Sequence, residues 1–138
     1  MKRFLLLLIL PLFFACDDEG FNNHNPFIAN ERFTVDLNLS LPAYNDLNFP
    51  GNAAYVGGTT NRGIYVFCVS PGNYNAFDAA CPNQEPSSCS ILVEQGISAV
   101  CQCDDAEYSF YTGQAEGMRY PMKQYRVQVA NGVVRVYN

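Results

Sequence analysis

Cys81-Pro82-Asn83 and, further on, Cys101-Gln102-Cys103-Asp104-Asp105, with Phe110 and Thr112-Gly113 behind them, decide how this chain is read. The two cysteine clusters begin twenty positions apart, with Cys89 between them. Cys81, Cys89, Cys101 and Cys103 are four thiolates to which Asp104 adds an oxygen, a mixture that zinc accepts. Against a metal, cysteines in an oxidising compartment pair as disulfides. Covalent catalysis has less behind it. The only histidine is His24, far upstream in a polar stretch, so no cysteine nucleophile has a nearby base. Asp104 and Asp105 read as solvated loop charges.

Outward from the clusters, every readable segment is a strand. Phe33, Val35, Leu37, Leu39 and Leu41 alternate with polar residues, which predicts a half-buried strand over 33–41 ended by Pro42. Residues 43–62 are loop-like, with a short strand at Ala54-Tyr55-Val56. The apolar run 64–69 predicts a strand buried on both faces, holding Cys68 as an inert thiol. Further strands are predicted at 74–78, 90–94, 97–101 and 107–111. Tyr125, Val127 and Val129 lead to Asn131-Gly132, and Val134 and Val136 return, the pattern of a hairpin with a type I′ turn. No amphipathic helix of useful length appears. The fold class is all-β, an antiparallel sandwich or partly open barrel.

Residues 1–15 read as a secretory signal: Lys2 and Arg3, then an apolar run over 4–14, then Ala15. The run is about half the ~20 residues a membrane-crossing helix requires. Leu12-Phe13-Phe14-Ala15-Cys16 resembles a bacterial lipobox, which implies lipidation of Cys16 as the new N-terminus. Asp17-Asp18-Glu19 resembles the surface-export signal of Bacteroidetes-type lipoproteins. That resemblance implies the outer membrane, with either face open. Residues 16–31 then form a polar tether ahead of a β-domain at 32–138.

Loss of Lys2 and Arg3 from the 8 basic residues leaves six against 13 acidic ones, a net charge of −7. That repels a phosphate backbone, and no basic cluster offsets it, so nucleic acid is excluded as a partner class. With Cys16 acylated, five cysteines remain in an oxidising compartment, an odd number that leaves one thiol over.

The cysteine clusters resemble the Rieske iron–sulfur domain, whose pattern is C-x-H, a spacer, a second C-x-x-H-G-like cluster, an aromatic residue and a T-G turn. Gly63-Ile64-Tyr65-Val66-Phe67 and Tyr74-Asn75-Ala76-Phe77-Asp78 resemble the strands that lead into the first cluster loop. Gly117, Tyr120-Pro121-Met122 and the Asn131-Gly132 hairpin resemble the exit. The likeness spans about residues 50–138. It implies that Cys81 and Cys101 stand at the iron-binding thiolates, with Asn83 and Asp104 where the family has histidines.

A [2Fe-2S] cluster of this type takes two thiolates and two imidazoles. The resemblance therefore implies a frame without its cluster. It implies further that Cys81 pairs with Cys101 and Cys89 with Cys103, leaving Cys68 free. The expected function is a membrane-anchored, non-catalytic structural or binding module with no cofactor. Its partner would be a protein or glycan met by exposed tyrosines such as Tyr44, Tyr55 and Tyr120. The alternative is an electron-transfer protein with an atypical iron–sulfur or other metal centre.

Overall fold

The computed structural model describes residues 24–138. The leader, Cys16 and the acidic triplet lie outside the described residues. Nine strands are present: β1 (Thr34–Asn38), β2 (Ala53–Val56), β3 (Ile64–Ser70), β4 (Asn73–Asp78), β5 (Leu92–Gln95), β6 (Ser98–Cys101), β7 (Glu107–Ser109), β8 (Gln124–Ala130) and β9 (Val133–Tyr137). A 3₁₀ turn at Asn45–Asn48 is the only helical element among the described residues. The larger sheet, in the order β1-β9-β8-β4-β3-β2, curls into an antiparallel half-barrel, and β5-β6-β7 form a second, smaller sheet.

The continuous apolar run of β3 follows from its position. Ile64, Val66 and Cys68 point into one core with Leu37, Tyr125 and Val136, while Tyr65 and Phe67 point into another with Phe77, Leu92 and Phe110. A strand with a core on each face has no wet side, so alternation disappears. β4 repeats this arrangement, with Ala76 in the first core and Phe77 in the second.

The C-terminal hairpin forms as its turn chemistry requires. Ala130 faces Val133, and Asn131 and Gly132 both take positive φ, 52° and 73°. β9 also pairs with β1, drawing the two ends of the β region together.

The alternation over 33–41 does not run to its end. β1 stops at Asn38, whose Oδ1 accepts the Ser40 N–H and whose C=O accepts the Leu41 N–H. Leu39 is still buried, but Leu41 is 50% exposed on the turn. The strand predicted over 107–111 is also shorter. After Ser109 the chain bends, the Gly113 N–H donates to the Ser109 C=O, and Phe110 swings into the second core.

A second difference lies in the polar segment ahead of β1. From Asn25 onward it is a strap docked on the body. Asn25 Nδ2 donates to the Pro82 C=O at 2.8 Å, and the Phe27 ring meets Tyr120 edge-on. Lys123, only 3% exposed, donates to the Ala29 C=O at 2.9 Å and lies 3.3 Å from Asn30 Oδ1. Asn138 Nδ2 donates to Asn30 Oδ1 and the Glu31 C=O. The segment is polar because its side chains supply these anchors.

Candidate functional site

The β4–β5 connection and the loop after β6 carry the two cysteine clusters. Ala79 and Ala80 hold the first loop to the smaller sheet: the Leu92 N–H donates to the Ala79 C=O, and Ala80 bridges to Ile91. Cys81 is 1% exposed and Cys101 is fully buried at the end of β6; they form a disulfide with Cα atoms 5.6 Å apart. A second disulfide joins Cys89 to Cys103, with Cα atoms 4.9 Å apart. It is half-buried, and the Ser87 hydroxyl lies 3.4 Å from Cys89 Sγ and 3.6 Å from Cys103 Sγ. Cys68 is the free cysteine among the described residues; burial pushes its thiol up, away from the reactive thiolate form.

The chain is not extended over the Cys101–Cys103 stretch. The chain turns there: the Asp105 N–H donates to the Cys101 C=O, the Cys101 N–H donates to the Ala106 C=O, and Asp105 takes φ 57°. The turn sends each cysteine to a different partner. Asp104 caps it by accepting the Ala106 N–H on Oδ1, and its Oδ2 accepts from Gln84 Nε2 at 2.6 Å, linking the two loops.

Asn83 makes the most connections of the cluster residues. Its Nδ2 donates to the Tyr108 hydroxyl at 2.9 Å and the Tyr120 C=O at 2.7 Å, and its Oδ1 accepts the Tyr120 N–H at 2.9 Å. One carboxamide thus joins the first cysteine loop, β7 and the segment before β8. Tyr108 is fully buried, and burial pushes its phenol above the usual range, so it stays protonated.

Of the three tyrosines expected to be exposed, only Tyr55 is, at 51%. Tyr44 packs against the first core, and Tyr120 is half-buried between Phe27 and Arg119. Sequence reasoning also missed a buried polar group behind the first loop. Asp78 accepts the Ala80 N–H on Oδ1 and the Tyr125 hydroxyl on Oδ2 at 2.8 Å. Burial lowers the pKa of neighbouring Lys123, while the Asp78 charge opposes that shift. No sequence signal marked this group, since Asp78 and Lys123 are 45 positions apart.

No protein-family model matches the chain, and no curated protein matches it in sequence. Solved structures do match in fold. A chain of the complex of reduced oxygenase and oxidized ferredoxin in carbazole 1,9a-dioxygenase superposes with a TM-score of 0.51 at 17% identity, over 78% of this chain and 94% of that one. The Sphingomonas yanoikuyae B1 ferredoxin matches at 20% identity and TM-score 0.46, over 65% of this chain and 88% of that one. The ferredoxin of carbazole 1,9a-dioxygenase from Nocardioides aromaticivorans IC177 matches at 19% and 0.42, over 66% and 88%. At 17% identity the first of these likenesses establishes architecture alone: the fold is Rieske-like, and the two disulfides join this chain's own cysteine-bearing loops.

Proposed function

We propose that this chain is a lipid-anchored, non-catalytic Rieske-fold module in which a disulfide stands where the iron–sulfur centre would be. The anchor is acylated Cys16 after removal of residues 1–15, the membrane is the bacterial outer membrane, and residues 32–138 are the working domain. Its role is structural or binding, toward a protein or glycan.

The observation that carries the reading is the donor set. A Rieske centre needs two thiolates on one iron and two imidazoles on the other. Cys81 and Cys101 are bonded to each other, and Asn83, which the resemblance puts at a histidine position, commits its carboxamide to Tyr108 and Tyr120. Asp104, which the resemblance puts at the other, is a hard oxygen donor occupied by Gln84 and the Ala106 N–H. The single imidazole, His24, stands just ahead of the strap, and one imidazole does not replace two. These residues do not fit the cluster.

The competing reading, an electron carrier with an atypical centre, draws its support from the fold likeness to a chain of the complex of reduced oxygenase and oxidized ferredoxin. Iron and acid-labile sulfide analysis of the full chain, purified anaerobically in detergent, separates the two. A colourless protein without stoichiometric iron is expected, whereas stoichiometric iron and sulfide with visible absorption establish the electron carrier.

A further inference from the structure

A cavity of about 150 Å³ lies between the docked strap and the first cysteine loop. Phe27, Ile28, Ala80 and Pro86 give it apolar surface, and Glu31 and Arg62 give it two charges of opposite sign. Neither charge is held in an ion pair among the described residues, although the Glu31 charge acts on the buried Lys123 ammonium. The Arg62 guanidinium donates one hydrogen bond, to the Ser87 C=O, and has further N–H groups to offer. The bond made at Glu31 is to its backbone carbonyl, which leaves its carboxylate open. Asp78 also borders the cavity, but its two oxygens are held by the Ala80 N–H and Tyr125.

We infer that this cavity binds a small zwitterionic amino acid, with Arg62 receiving its carboxylate, Glu31 its ammonium group, and the apolar residues its side chain. Size sets the class. A cavity of about 150 Å³ holds a benzene-sized molecule, whereas sites for drug-sized ligands and cofactors start near ~300 Å³. A nucleotide, a flavin or a peptide would place only a fragment of itself inside. A purely apolar ligand would make no contact with either part-buried charge, and a simple anion or cation would meet only one of them. Guanidinium suits a carboxylate because its fork of N–H groups meets both oxygens. The inference stands apart from the proposed absence of a cluster, because Cys81 only borders the cavity and neither Asn83 nor a disulfide sulfur is asked to meet the ligand's charges.

Calorimetric titration of the full chain in detergent with glycine, L-alanine, L-serine and L-valine tests it, with acetate and methylammonium as single-charge controls. At least one amino acid should bind saturably, and both controls should bind about tenfold more weakly or worse, the loss expected for one charge-assisted hydrogen bond. Arg62→Gln and Glu31→Gln should each weaken binding by a similar factor. Amide chemical shifts of the unmodified chain keep the result readable should a variant fold poorly: on titration they should move at residues 27–31 and 61–62. Absence of saturable binding by all four amino acids, equal binding of acetate, or shifts confined elsewhere overturns the proposal.

Discussion

The Asn83 carboxamide closes on the backbone of Tyr120 from both sides, accepting its N–H at 2.9 Å and donating to its C=O at 2.7 Å. This is the pairing one residue of a strand offers another, made here by a side chain across 37 positions. A neutral imidazole carries its donor and acceptor on separate ring nitrogens and cannot reproduce it. Asn83→Ala leaves the Tyr120 N–H, the Tyr120 C=O and the Tyr108 hydroxyl short of a partner. Urea denaturation should register a loss of about 2 kcal/mol. Asn83→Asp should lose at least as much, since a carboxylate then faces the Tyr120 carbonyl. Parent-like stability in both variants would show that the clamp is incidental.

The two disulfides differ in access, so they should differ in how fast they reduce. Cys81–Cys101 is buried in the second core, whereas Cys89–Cys103 is half-buried and touches an exposed serine. Under limiting dithiothreitol with timed alkylation, Cys89 and Cys103 should label first. Replacing Cys81 and Cys101 together by alanine opens a loop with a separation of 20 residues. In the loop-entropy picture that costs about 3 kcal/mol. Simultaneous labelling of all four cysteines would contradict the order.

Gly113 and Gly132 share φ 73° but not their surroundings. A Cβ on Gly132 would meet nothing within 4 Å, whereas one on Gly113 would lie 2.8 Å from the Phe77 ring. Gly132→Ala should therefore cost only the backbone strain, about 1 kcal/mol. Gly113→Ala adds a clash inside a core that does not yield freely, and its cost should exceed that of Gly132→Ala clearly in parallel thermal melts. Equal costs would mean that the Phe77 ring moves aside without penalty.

Four buried tyrosines give the fold an alkaline limit. Burial raises the phenols of Tyr65, Tyr74, Tyr108 and Tyr125, the last also pushed up by Asp78. A group whose folded pKa lies above its unfolded value stabilises the fold fully below the unfolded value, here 10.0, and that contribution fades as pH rises toward the folded one. Stability should thus fall above pH 10, and difference absorbance should show a delayed tyrosinate fraction that appears only with unfolding. Smooth ionisation of every tyrosine in the folded protein would refute this.

Period and turn chemistry made much of the fold legible before any coordinates. The β8–β9 hairpin followed from Asn131-Gly132, and β3 was readable as doubly buried because no polar residue interrupts Ile64, Tyr65, Val66, Phe67 and Cys68. The end of β1 was not legible, since Leu41 has the right identity and phase for a strand and only the Asn38 side chain diverts the backbone. The strap was hidden for a related reason. Asn25 and Asn30 look like linker residues until their partners, Pro82 and Lys123, are brought from more than fifty positions away. At the site, the cysteine pairs came from family likeness, while the Asn83 clamp had no signal at all. Its partners are largely backbone atoms of Tyr120, which a sequence does not single out.

Disulfide mapping of the full chain, with thiols blocked at the moment of cell lysis, tests the central claim most directly. Non-reducing digestion should yield one peptide pair joining Cys81 to Cys101 and another joining Cys89 to Cys103, with Cys68 alkylated only after unfolding. Recovery of Cys81 and Cys101 as free, alkylated thiols in freshly lysed protein would mean that they are available to a metal centre, contrary to the account given above.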